Sequence, residues 1–195
     1  TAKATPTISP SYATVSFEGQ IQLNIYYTVS NLDVPLTEMG LLTWFSAQTN
    51  GTIENAYSVV PGAVTDGTNY MVHTNGIPAK NLANTVYFKV YAKLADGTYV
   101  YSKLINYSPK SYAERQITSS TDPYIRSLCV ALLNYGAAAQ TYFNYQPYAL
   151  MNSGLTAEQK SWVNSYHESM VDPLVAVNST KTTNFTSTGG FTRFY

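Results

Sequence analysis

Residues 85–107, TVYFKVYAKLADGTYVYSKLINY, decide the fold. Ahead of Asp96-Gly97, the apolar Val86, Phe88, Val90 and Leu94 alternate with Tyr87, Lys89, Tyr91 and Lys93, the two-residue period of a strand. Asp-Gly between two such runs is the signature of a tight type I′ hairpin. Pairing across a two-residue turn puts Tyr99 and Tyr101 on the Val90 face.

Turn signals recur outward from this unit. In residues 15–29, VSFEGQIQLNIYYTV, Ile21, Leu23, Ile25 and Tyr27 alternate with Gln20, Gln22, Asn24 and Tyr26, a second half-buried strand. GLLTWFS at 40–46 predicts a third, and NGT at 50–52 a turn. TDGT at 65–68 and NG at 75–76 bracket a further strand in NYMVHT. Six or seven short strands at this spacing predict an antiparallel β-sandwich of immunoglobulin or fibronectin type, with an open barrel as the alternative.

Downstream the period changes. Residues 121–145, TDPYIRSLCVALLNYGAAAQTYFNY, offer Thr121 or Asp122 as N-cap and Pro123 in the first turn, and predict a helix. From Ile125 to Phe143 its polar residues, tyrosines aside, are Arg126, Ser127, Asn134, Gln140 and Thr141, so burial on more than one side is expected. Tyr135 and Tyr142 lie nearly in line along it. A second helix starts in LTAEQKSWVNSYHESM, where Thr156 and Gln159 form a capping box, Trp162 and Tyr166 share a face, and Asp172-Pro173 marks the end. The fold class expected is α+β: an N-terminal β-sandwich over 1–117, a C-terminal α-helical cluster packed against it over 118–176, and a linker or strand-like tail over 177–195.

Charge narrows the partners. Eleven Lys and Arg balance eleven Asp and Glu, and charged residues make up 11% of the chain, under half the usual share of roughly 25%. Phosphate recognition needs clustered cations, so no nucleic acid partner is expected. No apolar run reaches the length of about 18 residues that a spanning helix needs, so no membrane insertion is expected. With 18 tyrosines, the surface is one of Asn, Thr, Ser, Gln and Tyr, which suits neutral polar ligands. The lone Cys129 sits on the apolar helix and reads as a buried thiol. Opening at Thr1 without a signal peptide, the chain reads as a processed or excised fragment.

Catalysis would need a constellation, and the chain holds no HExxH, CxxC, Gly-rich phosphate loop or GxSxG. His73 and His167 have no partner that spacing identifies, and the acids are scattered, several in turns and caps, whereas glycoside hydrolysis needs two at a set separation. Without a DxDxDG-like loop, no metal or cofactor is expected. Recognition remains. Saccharide sites set flat rings against the apolar faces of sugars and bond the hydroxyls with amides and cations. On that chemistry Trp44 or Trp162 is expected to stack on a sugar, Tyr135, Tyr142 and Tyr166 to line the walls, and Lys80, Asn134 and Gln140 to bond hydroxyls, in a cleft between sandwich and helices.

MGLLTWFS at 39–46, TNGIPAKNL at 74–82, VYFKVYAKLADGTYVYS at 86–102, NYSPKSYA at 106–113 and LCVALLNYGAAAQTYFNY at 128–145 carry a resemblance over nearly the whole chain. Together they resemble a sandwich-plus-helix module of large secreted, dockerin-bearing surface proteins of gut ruminococci, above all the starch-binding modules of amylosome adherence proteins. The resemblance implies non-catalytic binding of starch or maltooligosaccharides at the cell surface, neighbouring modules on a longer polypeptide, and a cohesin scaffold reached through regions outside this chain. A structural spacer or protein-docking module without glycan binding is the alternative.

Overall fold

The structure, a computed structural model, describes residues 6–31, 35–62 and 70–166. The chain divides into two compact units, Thr1–Gly154 and Leu155–Tyr195. It is α+β. In the first unit β1 (Thr7–Ser16), β2 (Gln22–Ser30) and β5 (Tyr70–His73) form one antiparallel sheet in the order β1-β2-β5. The second antiparallel sheet has the order β4 (Ser58–Gly62), β3 (Leu36–Trp44), β6 (Val86–Leu94), β7 (Tyr99–Tyr101), and β8 (Ile105–Tyr107) also pairs with β6. Two helices follow, α1 (Pro109–Ser119) and α2 (Pro123–Tyr142), and α3 (Ala157–Tyr166) belongs to the second unit.

Alternation builds the core as expected. Leu23, Ile25 and Tyr27 from one sheet join Met39, Leu41, Phe88 and Val90 from the other in a single buried cluster. Residues 15–29, read as one strand, are instead the end of β1, a turn through Gly19 at φ 73°, and β2. Two strands had no clear signal. β1 carries Pro10 beside a register shift between Pro10 and Tyr12, and β4 carries Pro61 on a strand paired only through β3; proline, which donates no ladder bond, masks strand character at both.

The Asp96-Gly97 hairpin forms, but with a different register from the one expected. Lys93 pairs with Tyr99 and Tyr91 with Tyr101, so both tyrosines lie on the Tyr91 face, not the Val90 face. The loop is three residues long, with Gly97 N donating to Leu94 O and Leu94 N to Thr98 O. Gly97 alone in it has positive φ (88°), whereas a type I′ turn requires two such residues. One extra loop residue shifts pairing by one place and turns every β7 side chain over.

That shift builds a second cluster on the other face of β6. Leu42, Trp44 and Tyr91 are buried there, with Tyr99, Tyr101 and Ile53 packed around them. Residues 48–55 close over Trp44, whose indole Nε1 donates to Asn55 O at 2.9 Å. The loop is pinned by Lys89, a buried ammonium donating to Thr49 O at 2.9 Å and Gly51 O at 3.0 Å. Gly51 is compulsory: a Cβ there would lie 2.6 Å from the Trp44 ring.

Helix ends follow their caps. Asp122 caps α2 by accepting from Tyr124 N at 2.8 Å, and Thr156 and Gln159 exchange the expected capping-box bonds at 2.9 and 3.1 Å. α1 is an addition to the expected set, started by Ser108, whose hydroxyl accepts from Ser111 N, and by Pro109 in the first turn. α2 packs on α1 and on the 3₁₀ turn at Ala79–Asn81. Its burial covers Cys129, Leu132, Leu133, Gly136 and Ala137, while Tyr124, Leu128, Tyr135 and Tyr142 form an exposed stripe, so the helix is not enclosed all round. Met151 takes the space a Cβ at Gly136 would need. His167, the Asp172-Pro173 stop and the 177–195 tail lie outside the described residues.

Two outcomes follow from this packing. Gly51→Ala lowers stability by about 1–3 kcal/mol, the range for overfilling a packed site, and alters tryptophan fluorescence, both read in one denaturant titration. The Cys129 thiol, pushed up to about 11 by burial, keeps its proton through the ordinary thiol range. It resists thiol reagents in the native state and reacts on unfolding. Because the folded thiol holds its proton longer than the unfolded one, its contribution to stability falls as pH climbs through the normal thiol range towards that value.

Candidate functional site

Where both sheets end near the Ala79–Asn81 turn, the chain leaves a cleft with two lobes. One, of about 300 Å³, is lined by Phe45, Tyr57, Thr74, Asn75, Pro78 and Asn81 among others. The other, of about 480 Å³, is lined by Phe45, Asn81, Asn84, Tyr87, Tyr145 and Gln146 among others. Phe45, Asn81 and Asn84 belong to both walls.

Local rules put each group there. Trp44 turns to the outer cluster, so the next residue, Phe45, points the opposite way at the strand end. Tyr57 N donates to Thr43 O at 3.0 Å, holding Tyr57 beside that end. The Phe45 and Tyr57 rings meet edge to face with centroids 4.5 Å apart, and they remain 57% and 71% exposed. On the opposite wall Asn81 N donates to Pro78 O and Asn84 N to Asn81 O, two successive turns that present Asn81 and Asn84 three residues apart. The turn is anchored by Leu82, fully buried, whose carbonyl accepts from Lys110 N at the start of α1.

The far wall comes from the end of α2. Tyr145 N donates to Gln140 O and Asn144 N to Thr141 O, the paired bonds of a Schellman motif, with Asn144 left-handed at φ 49°. Asparagine tolerates that conformation better than most residues. The reversal brings the Tyr145 hydroxyl to Asn84 Nδ2 at 2.9 Å. Lys80 Nζ lies over the Phe143 ring at 5.2 Å and the Tyr145 ring at 5.8 Å, which ties the 3₁₀ turn to the same segment.

Chemically the cleft is neutral. Among the described residues its walls hold no Asp, Glu, Lys, Arg or His, and no group of three potential metal ligands occurs anywhere. Asn81 Oδ1 is buried with no hydrogen-bond partner among the described residues. The arrangement can stack on rings and exchange hydrogen bonds.

The residues named from sequence do not assemble here. Trp44 is 4% exposed and its ring is covered by the 48–55 loop, so it offers no face to a sugar. Gln140 is 1% exposed and clamps the segment after α2, its Oε1 accepting from Met151 N at 2.7 Å and its Nε2 donating to Ala149 O at 3.2 Å. Asn134 Oδ1 accepts from Asn152 Nδ2. Tyr135 and Tyr142 stand on the exposed stripe of α2, with Tyr142 edge-on to Phe143. Lys80 borders the cleft through its neighbour Asn81 and its contact with Tyr145. Trp162 lies on α3 in the second unit, and the side chain of Tyr166 lies outside the described residues. Phe45, Tyr57, Asn81, Asn84 and Tyr145 were missed. A signal for Phe45 did exist: in a Trp-Phe pair on a strand, one ring must face away from the other.

No protein-family model and no curated protein matches this chain. The site therefore rests on its own geometry.

Gln140→Ala removes both clamp bonds and leaves Ala149 O and Met151 N without these partners. The expected loss is about 2 kcal/mol, with faster proteolysis between residues 143 and 151 than in the wild type.

Proposed function

We propose that the chain is a non-catalytic carbohydrate-binding module for starch-type α-1,4-glucan, held in the two-lobed cleft. The observation that carries the reading is the neutral wall: an exposed Phe45–Tyr57 ring pair facing Asn81 and Asn84 amides, with no charged side chain among the described lining residues. Sugars are neutral, with apolar ring faces and a belt of hydroxyls, and the wall offers a partner to each. A glycosidase would need two carboxylates across the substrate, and the described walls supply none.

Starch as the glucan comes from the sequence resemblance, as do a secreted or surface location and a place among other modules of a dockerin-bearing protein. On this reading the two sheets form an immunoglobulin- or fibronectin-like sandwich with α1 and α2 packed against it. Trp44 and Gln140 act as scaffold, and ligand contact passes to Phe45, Tyr57, Asn81, Asn84 and Tyr145. Lys80 positions Tyr145. The second reading, a docking module without glycan binding, is favoured by the exposed Tyr124, Leu128, Tyr135 and Tyr142 stripe on α2.

Calorimetric titration with maltoheptaose separates the two. A single site of this kind gives a Kd between about 1 mM and 1 μM, roughly 4 to 8 kcal/mol. Phe45→Ala and Tyr57→Ala each weaken it about threefold to tenfold, the scale of one aromatic contact, while Tyr135→Ala leaves it unchanged. Absence of heat with maltoheptaose, together with no retention on starch granules, sinks the glycan reading. Loss on Tyr135→Ala with Phe45→Ala unaffected would move the site to α2.

A further inference from the structure

The sequence contains two Asn-Gly pairs, Asn50-Gly51 and Asn75-Gly76, and the fold treats them in opposite ways. Asn-Gly is the dipeptide in which the following amide nitrogen can reach the asparagine side chain with least obstruction, because glycine carries no Cβ. Gly51 is buried against Trp44, and its N–H donates to Gln48 O at 3.0 Å. Lys89 holds the carbonyls of Thr49 and Gly51 on either side of Asn50, and Asn55 Nδ2 donates to the Asn50 carbonyl. Asn75 and Gly76 are both exposed and lie in the wall of the first lobe. Thr74 N is bonded to Leu23 O of β2 and Ile77 N to Ile21 O just ahead of it, and the two residues between them bulge out of that pairing. The Gly76 N–H makes no hydrogen bond among the described residues.

We propose that Asn75 is a site of spontaneous deamidation, and that Asn50 is protected from the same reaction by the fold. A solvent base takes the Gly76 amide proton, and that nitrogen forms a bond to Asn75 Cγ. The Cγ–Nδ2 bond breaks, and Nδ2 leaves as ammonia with a proton from solvent, closing a five-membered succinimide. Water then opens the ring at either carbonyl, giving aspartate or isoaspartate. The net change is one amide and one water converted to one carboxylate and ammonium, with no oxidant or reductant. Asn75 Nδ2 now donates to Ser58 Oγ at 2.8 Å, a bond the product cannot make in the same sense, since a carboxylate only accepts. The product also places a negative charge in a wall that the described residues leave uncharged. Its consequence for sugar binding rests on the glycan reading above; the reaction itself does not.

The test is peptide mapping by mass spectrometry of the native protein held in mildly alkaline heavy-oxygen water, with Asn75→Gln as the control for assignment. Asn75 gains the heavy-oxygen carboxylate at least about tenfold faster than Asn50, because reaction at Asn50 first requires local opening against the Gly51 hydrogen bond and the Trp44 packing. In denaturant the two rates converge. Equal native rates, or faster conversion at Asn50, overturn the proposal, as does an Asn75 that stays an amide in the native protein while the denatured chain converts. Asn75→Asp reads the consequence separately. Weaker maltoheptaose binding than wild type supports it, and unchanged binding refutes it while leaving the reaction standing. A wild type that binds no maltoheptaose ends the glycan reading alone.

Discussion

The buried ammonium of Lys89 is the contact on which the working end of this protein depends. Removing a charge from water is costly unless it is bonded in its new place, and here the charge-assisted bonds run to two carbonyls of one loop, Thr49 and Gly51. Lifting the loop breaks both bonds at once. Held down, it covers Trp44, and Trp44 committed to that face leaves Phe45 turned the other way. The backbone bond from Tyr57 to Thr43 then sets the second ring beside the first. An interior polar contact on β6 thus fixes the direction of two exposed rings.

The residues declared part of this arrangement openly and hid the rest. Ile21 to Tyr27, Val86 to Val90 and the caps at Asp122 and Thr156 follow local rules, and the structure obeys them. The hairpin register was not legible, because Asp-Gly serves both a two-residue turn and a three-residue loop in which glycine alone is left-handed. Prolines hid β1 and β4, and the Ser108-Pro109 start of α1 was overlooked although its signal is a good one. The residues expected to bind do not come together, for a different reason. Large rings and amides were picked by type, but burial decides their use, and burial is a tertiary property: Trp44 and Gln140 are consumed by internal bonds. The cleft draws on Phe45, Tyr57, Asn75, Asn81 and Tyr145, separated by up to a hundred positions, and no spacing rule joins them.

Neutral walls constrain what such a cleft does. With no charged side chain among the described lining residues and Lys80 alone at the border, association on the proposed reading gains little from electrostatic steering and responds weakly to salt. Affinity must come from ring contact and from hydrogen bonds exchanged with water, each worth about 1 kcal/mol net. The amides suit that regime better than carboxylates or lysines, because each offers both a donor and an acceptor and neither carries a desolvation cost on the scale of an ion. Asn84 already spends one donor on the Tyr145 hydroxyl, which fixes its orientation, while Asn81 Oδ1 is buried and without a partner among the described residues.

That same reliance on asparagine carries a chemical liability that the fold has met in one place and not in the other. Gly51 is required by the Trp44 ring, so the Asn50-Gly51 pair exists for packing, and the packing that demands glycine also buries its nitrogen. At Gly76 the nearest obstacle to a Cβ is the amide end of the exposed Gln20 side chain, which can swing aside and does not bond the nitrogen, so packing does not demand glycine there. Steric need for glycine and protection of its amide thus go together in this chain. In the loop under Lys89 both are present; in the wall of the cleft, where Asn75 and Gly76 are exposed, neither is.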